Sequence, residues 1–143
     1  MNPDPCINDY ILTNPGSLEE QTPLYIAINN NCTIDYLDKL IKKGADINKG
    51  RVINGYYQNR SPLSNAIVKS MDVNMIKYLL DNGAEPNFIE NSIWRTPLDY
   101  LINNSTYSEE DKMQIGKWLL EKGAKTYIKF IAENPTVWSD PEP

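Results

Sequence analysis

The sequence predicts an all-α fold in which helix-turn-helix units stack side by side as a solenoid. A Ser or Thr followed by Pro and Leu recurs three times, at residues 22, 61 and 96. A Gly-Ala pair follows each start, at residues 44, 83 and 123, and apolar residues at helical spacing fill the intervals. Self-similarity at a period of about 35 to 40 residues is typical of repeat proteins. The 143-residue chain is therefore predicted to contain three units between two flanking segments.

The start of each unit predicts a capped first helix. A Ser or Thr hydroxyl accepts a hydrogen bond from a free N–H group of the first turn, and Pro suits the first helical position, where no N–H bond is required. Apolar residues at helical spacing then predict one buried face. The starts and their inward residues are Thr22-Pro23-Leu24 with Ala27 and Ile28, Ser61-Pro62-Leu63 with Ala66 and Ile67, and Thr96-Pro97-Leu98 with Leu101 and Ile102.

A second amphipathic helix is predicted in each unit. Its inward positions are Ile34, Leu37, Leu40 and Ile41, then Val73, Ile76, Leu79 and Leu80, then Ile115, Trp118, Leu119 and Leu120. Glycine readily adopts the left-handed conformation that ends a helix, which is the role predicted for Gly44, Gly83 and Gly123. The third unit is five residues longer than the others between its start and its glycine, which predicts an insertion at 105–108.

These units resemble the ankyrin repeat over about residues 20 to 127. The residues that carry the resemblance are Thr22-Pro23-Leu24-Tyr25, Ala27, Leu40-Ile41 and Gly44-Ala45-Asp46-Ile47-Asn48, then Ser61-Pro62-Leu63, Ala66, Leu79-Leu80 and Gly83-Ala84, then Thr96-Pro97-Leu98, Leu119-Leu120 and Gly123-Ala124. The family's His is replaced by Tyr25, Ser64 and Asp99, which predicts the loss of a hydrogen bond that stabilises the turn. The resemblance implies an L-shaped stack whose inner helices and β-hairpin-like finger loops form a concave groove.

The predicted organisation is a single ankyrin-repeat domain over residues 1–143. Its parts are an N-terminal capping segment at 1–20, repeats at 21–59, 60–94 and 95–126, and a C-terminal cap and tail at 127–143. A capping helix is expected over residues 5–14, with Cys6, Ile7, Tyr10 and Ile11 on one face. A second is expected from Tyr127, Ile128, Phe130 and Ile131, with Trp138 folding back onto it. Caps are expected because the ends of a stack must be shielded from water.

The composition argues against catalysis, metal binding and nucleic-acid binding. Lys and Arg number 14 against 19 Asp and Glu, a net charge of −5, whereas phosphate backbones and anionic membranes require concentrated positive charge. The chain has no His, which removes the common Ser-His and Cys-His nucleophile arrangements and the usual zinc ligand. The expectation is a protein that is not an enzyme and has no cofactor, no metal and no membrane partner.

The signals for localisation are negative ones. No apolar run approaches the ~20 residues needed to cross a bilayer, and no Sec-type signal is visible. Cys6 and Cys32 are too few for a disulfide framework. We therefore expect a cytoplasmic protein, or one delivered into a host cell without a Sec signal.

The finger loops contain the candidate binding residues. Asn54-Gly55 suits a type I′ turn, so 52–57 predicts a hairpin, and Trp94 stands where the family usually has the turn glycine. Tyr, Trp and Arg are enriched at interface hot spots. The predicted binding rim is Tyr56, Tyr57, Arg60, Trp94 and Arg95, and the predicted groove is Ile26, Asn29, Asn30, Asn65, Val68, Lys69, Tyr100, Asn103 and Asn104, of which Asn65, Lys69 and Tyr100 are candidate contacts. The alternative is that the aromatic residues only pack finger against finger.

The functional hypothesis is a protein–protein interaction module that binds a partner protein and acts as adaptor, effector or inhibitor, monomeric alone. A narrower alternative is an acidic immunity protein or antitoxin that inhibits a basic toxin enzyme. An alternative of another class is a structural, self-assembling repeat protein. The resemblance also implies that Asn48 is a candidate for hydroxylation by a dioxygenase in an animal cell, and that Asn87 fits less well because Pro86 precedes it.

Overall fold

A computed structural model describes residues 6–12, 16–53, 58–90 and 94–134 of the chain. Within these residues the chain forms seven helices and four short strands, and all four strands precede the third helix. The helices are α1 Pro23–Asn29, α2 Ile34–Lys42, α3 Pro62–Val68, α4 Val73–Asp81, α5 Pro97–Ile102, α6 Glu109–Glu121 and α7 Tyr127–Glu133. The strands are β1 Ile11–Leu12, β2 Glu19–Gln21, β3 Arg51–Ile53 and β4 Gln58–Arg60.

The three predicted helix starts are confirmed. The side chains of Thr22, Ser61 and Thr96 each accept a hydrogen bond from the backbone N–H three residues later, and Pro occupies the first turn each time. The three helix-ending glycines have φ values of 101°, 96° and 86°, in the left-handed region predicted for them. Local sequence therefore determines where each helical pair begins and ends.

The helical pairs pack against one another in chain order. The inner helix α3 contacts α1 on one side and α5 on the other, and the outer helix α4 contacts α6. The largest buried apolar side chains of these helices are Leu24, Tyr25, Ile28, Leu37, Leu63, Ile67, Ile76, Leu79, Ile115 and Leu119. Full burial of one such Leu or Ile contributes about 1.5–3 kcal/mol, so contacts between neighbouring pairs supply much of the stability.

Two inward assignments in the third unit are wrong. Ile102 is 56% exposed and Leu120 is 61% exposed. Their equivalents in the second unit, Ile67 and Leu80, are buried because α5 and α6 pack over them. Ile102 and Leu120 belong to the last complete pair, and the single helix α7 that follows leaves them exposed. The predicted C-terminal helix is present as α7, but none of its residues is buried and Ile128 is 76% exposed. Trp138 lies outside the described residues.

The extra length of the third unit lies mainly in its second helix. The loop between α5 and α6 spans residues 103–108, compared with four residues in the first two units, and α6 has 13 residues compared with nine in α2 and α4. The insertion predicted at 105–108 is therefore only partly correct. Ser108 caps α6, and three acidic residues in its first turn favour the extra turn of helix.

The β-hairpin-like finger loops expected beside the helices form a four-stranded antiparallel sheet in the order β1-β2-β3-β4, which extends the all-α prediction. The helix predicted over residues 5–14 is wrong where the structure describes it, because β1 pairs with β2 through Ile11 opposite Gln21. Gly16 has φ +86°, a conformation that ends regular structure, and β2 is already paired with β3, so its other edge is available to β1. The N-terminal segment forms a finger instead of a helical cap.

The hairpin predicted over 52–57 is confirmed as a hairpin with a different register. Ile53 pairs with Gln58, whereas a two-residue Asn54-Gly55 turn would place Ile53 opposite Tyr56. Arg51 and Arg60 form the pair at the other end of this ladder. Tyr56 and Tyr57 lie outside the described residues.

An asparagine side chain joins each unit to the next in the same way. The Asn48 amide donates to the Gly83 carbonyl (3.2 Å), and its oxygen accepts from Glu85 N (2.7 Å). Asn8 makes the same two bonds to Gly44 and Asp46, and Asn87 makes them to Gly123 and Lys125. The candidate for hydroxylation, Asn48, thus has both ends of its amide engaged. We call Asn8, Asn48 and Asn87 the asparagine ladder.

Loss of one ladder residue is expected to destabilise the fold measurably. Asn87→Ala removes the bonds to Gly123 O (2.9 Å) and Lys125 N (2.7 Å), which should lower the free energy of unfolding by about 1–3 kcal/mol in urea titrations. Asn103→Ala is the matched control, because the Asn103 amide bonds only Asp99 O within its own helix, and a change of less than about 0.5 kcal/mol is expected. Equal effects of the two changes would show that the ladder contributes nothing beyond local capping.

The residue that replaces the family's His supplies its own hydrogen bonds in the third unit. Asp99 Oδ2 accepts from Thr96 N (3.0 Å), from Thr96 Oγ1 (3.1 Å) and from Tyr127 N (2.8 Å). The expected loss of a turn-stabilising bond is therefore wrong at this position. Because Tyr127 begins α7, the same carboxylate also joins the last complete pair to the helix that follows.

Candidate partner-binding surface

The two finger loops predicted to carry binding residues meet at the side chain of Glu90. Arg51 and Arg60 lie opposite each other in the β3–β4 ladder, and both reach this carboxylate, Arg51 Nη2 at 3.2 Å and Arg60 Nε at 3.1 Å. The side chains are 2% exposed for Glu90, 14% for Arg51 and 16% for Arg60. A buried carboxylate needs such partners, because removing an unpaired charge from water costs several kcal/mol.

Tyr100 of α5 completes this group. Its hydroxyl donates a hydrogen bond to the Glu90 carboxylate, and the Arg60 guanidinium lies 5.4 Å from its ring centroid. Burial and the hydrogen bond to Glu90, which favours the protonated phenol, together raise the pKa of Tyr100 to about 12. The phenol is therefore a permanent donor near neutral pH. We call Arg51, Arg60, Glu90 and Tyr100 the arginine–glutamate cluster.

Trp94 is held in an exposed position next to this cluster. Its backbone N–H donates to Glu90 O (2.8 Å), and Glu90 N donates to Arg95 O (3.1 Å), which closes the finger between residues 90 and 95. Trp94 has φ +58°, so it adopts the left-handed conformation expected of the glycine that the family usually has here. The residue is 47% exposed, and its ring centroid lies 5.8 Å from that of Tyr127.

Arg95 is the second exposed side chain on this finger. Its guanidinium lies 5.7 Å from the ring centroid of Tyr100, close enough for a cation–π interaction. Because the arginine–glutamate cluster lies beneath it, the position of this charge is constrained while its outer side faces solvent. We call Trp94 and Arg95 together the finger face.

Of the predicted contact residues, Asn65 and Tyr100 are buried and Arg60 is mostly buried. Arg60 and Tyr100 belong to the arginine–glutamate cluster, and Asn65 is 4% exposed with its amide donating to Asn29 Oδ1 (2.7 Å). The expectation that these three are displayed is wrong, because each is used to join neighbouring units. Their structural contribution is to position the residues around them.

The exposed part of the predicted groove lies at the C-terminal ends of the inner helices. Val68, Lys69, Asn30 and Asn103 are exposed there. Asn104 differs, because its amide donates to Ile67 O (3.1 Å) and Ser70 Oγ (2.9 Å) of the preceding unit. Lys69 is thus the one candidate contact of the groove that the structure places in solvent.

The described residues contain no cluster of three His, Cys, Asp or Glu side chains that could hold a metal ion. None of the helices described is both long and apolar enough to span a bilayer.

The family model of ankyrin repeats (3 copies) matches residues 2–90, which is more than half of the chain. This chain belongs to the ankyrin-repeat family. A search of curated proteins gives no significant match.

The matched segment contains the first two helical pairs, α1 to α4. It begins before the first helix, in the segment where Asn8 makes the bonds that Asn48 and Asn87 make later. It ends at Glu90, before α5, so the third unit is assigned by its capped helical pair and by its contacts with α3 and α4. Ankyrin repeats are generally protein–protein interaction modules and are typically not enzymes.

Glu90 and the asparagine ladder are the important residues that sequence reasoning missed. Glu90 stands in a loop between Ile89 and Asn91, where an acidic side chain ordinarily faces water. Its partners are 39, 30 and 10 residues away, so no local pattern indicates the cluster. The ladder had a usable signal, because Ile-Asn occurs both at 7–8 and at 47–48.

Proposed function

We propose that this chain binds a partner protein through the finger face, with Tyr56 and Tyr57 of the preceding finger and Lys69 of the groove as further contacts. The observation that carries the proposal is Trp94, a large aromatic side chain kept half exposed at a position where glycine costs least. A bulky residue with positive φ costs of order 1 kcal/mol or more, and such costs cluster at functional sites. Binding of a partner by the exposed ring would offset this strain.

Rigidity supports the same proposal. The Trp94 backbone is bonded to Glu90, and the Glu90 side chain is fixed by Arg51, Arg60 and Tyr100. A side chain that is ordered before binding loses less conformational entropy in a complex, which favours affinity. Trp and Arg are also the residue types that dominate interface energetics.

The test separates binding from stability with a substitution to glycine. Trp94→Gly removes the ring and keeps the left-handed backbone, so combined with Tyr56→Ala it should leave the melting temperature close to that of the wild type. Loss of the hot-spot ring should weaken the affinity for a partner identified by affinity capture by about 30-fold, equivalent to about 2 kcal/mol.

The matched control is Tyr36→Ala, which removes an aromatic side chain that is 53% exposed on the outer helix α2. Its affinity should equal that of the wild type. A double variant that keeps full affinity for the same partner contradicts the finger face as binding site. The identity of the captured partner decides between adaptor, effector and inhibitor, including an inhibitor of a basic enzyme.

A further inference from the structure

The loop between α5 and α6 binds back onto the turn of the second unit. The Tyr107 hydroxyl donates a hydrogen bond to the Met71 carbonyl, and the Asn104 amide donates to Ile67 O (3.1 Å) and Ser70 Oγ (2.9 Å). Tyr107 is half-buried and packs against the core, and this burial raises the pKa of its phenol. A tyrosine side chain therefore fills the cleft between the turns of the second and third units.

The turns of the first and second units have the same backbone geometry. Asn31 and Ser70 both have φ +56°. Cys32 N donates to Ala27 O at 3.1 Å, and Met71 N donates to Ala66 O at 3.0 Å. The Cys32 carbonyl in the first unit thus corresponds to the Met71 carbonyl that accepts the Tyr107 hydroxyl in the second.

The cleft between the first two units lacks the residue that fills its counterpart. The connection between α3 and α4 has four residues, 69–72, whereas Tyr107 belongs to the six-residue connection of the third unit. An open pocket of about 420 Å³ lies at this position, within the size range of small-ligand sites. Its lining includes Cys32, Ile34, Met71 and Met75, with Lys69 and Asp72.

We propose that the cleft between the first two units is a second binding site, which accepts a tyrosine side chain presented by the partner protein. The phenol occupies this cleft as Tyr107 occupies the next one, with its hydroxyl donating to the Cys32 carbonyl. The proposal rests on the proposed function and adds a chemical feature of the partner.

The chemistry of the lining agrees with an aromatic occupant. Met71 and Met75 are 9% and 4% exposed, and together with Cys32 they line the cleft. Sulfur atoms of Met and Cys make favourable contacts with aromatic rings, and Met adapts its shape to the ring it meets. Lys69 belongs to the same lining and carries a positive charge beside the cleft.

A peptide taken from this chain can be used to probe the cleft. A capped peptide with the sequence of residues 102–109 contains the Asn104 and Tyr107 motif, and the same peptide with Tyr107→Ala is its control. In the Cys6→Ser protein, Cys32 is the sole thiol, and burial raises its pKa, so its alkylation by iodoacetamide is slow and easily timed. A short peptide of this kind is expected to bind in the millimolar range.

The expected result is that the peptide at about ten times its Kd slows alkylation of Cys32 about tenfold, while the alanine peptide leaves the rate unchanged. The Cys32→Ser protein, which retains the exposed Cys6, should show no protection with either peptide. In wild-type protein, the tyrosine peptide should shift the methyl NMR signals of Met71 and Met75. These signals provide the readout if the Cys6→Ser protein fails to fold.

Equal protection by both peptides, or no protection together with unshifted Met71 and Met75 signals, overturns the proposal. The assay contains no partner and does not use the finger face. A negative result therefore removes the cleft as a site and leaves the finger face untouched, whereas loss of the finger-face effect on partner affinity leaves the peptide result standing.

Discussion

Replacing Glu90 with alanine is expected to lower the free energy of unfolding by about 3–5 kcal/mol. The change removes the carboxylate that pairs with Arg51 and Arg60 and accepts the Tyr100 hydrogen bond. Two guanidinium groups, each less than a fifth exposed, then remain without their main counter-charge. Urea titration followed by circular dichroism measures the loss.

A matched control for Glu90→Ala is Asp81→Ala. The Lys77–Asp81 ion pair has a similar distance, 2.8 Å, but both side chains are 49% exposed. Exposed pairs of this spacing contribute about 0.3–0.5 kcal/mol, because water already solvates both charges. A Glu90→Ala variant within 1 kcal/mol of the wild type would contradict the view that the arginine–glutamate cluster holds the two fingers together.

Gly50→Ala is expected to be the second most damaging change, at about 2–3 kcal/mol. A Cβ atom at Gly50 would collide with the Arg60 backbone carbonyl and lie 2.8 Å from Tyr25 Cδ2, and neither neighbour can move away. Gly50 O also accepts from Thr22 N (3.0 Å), so a shift of this backbone would disturb the start of α1. Thermal unfolding should show a lower midpoint.

Gly116→Ala is expected to raise the midpoint of thermal unfolding, whereas Gly50→Ala lowers it. A Cβ there would meet Leu101 Cδ2 at 3.6 Å, an ordinary contact, and the residue lies inside α6. Alanine is preferred over glycine in a helix by about 0.5–1 kcal/mol, so Gly116→Ala should raise the midpoint. If both variants move the midpoint in the same direction, close approach at Gly50 is not the constraint proposed.

The helical pairs could be predicted from the sequence because their signals are local. Thr22, Ser61 and Thr96 cap the helices that follow them through bonds spanning three residues, and each stop glycine acts on the helix just before it. Such signals do not depend on what packs nearby. This is why the predicted helix starts and helix-ending glycines are confirmed, whereas the helix predicted over residues 5–14 is wrong where the structure describes it.

The fingers could not be predicted in detail because long-range contacts determine them. Two-residue strands such as Ile11–Leu12 have no period that a sequence can display, and they form because β2 offers an edge. The length of the connection between Ile53 and Gln58, four residues, likewise follows from the register that places Arg51 opposite Arg60. Both arginine side chains contact Glu90.

Residue types in the sequence indicated which side chains could bind a partner, but they predicted only in part which of them are exposed. Trp94 stood out because it replaces an expected glycine, and its positive φ confirms that equivalence. Arg60, by contrast, resembles an exposed interface arginine in sequence, but its side chain pairs with the distant Glu90 and is only 16% exposed. The open cleft at Cys32 depends on the equivalence of the turns at Cys32 and Met71 in three dimensions, which no local sequence pattern indicates.

Hydrogen exchange with and without a captured partner tests the central claim most directly. Binding at the finger face should slow amide exchange in peptides covering residues 51–60 and 88–96, and should leave the outer helix α6, which borders neither the finger face nor the cleft at Cys32, at its free rate. Slowed exchange in α6 with unchanged fingers would contradict the account, because it would place the partner on the opposite side of the helical pairs.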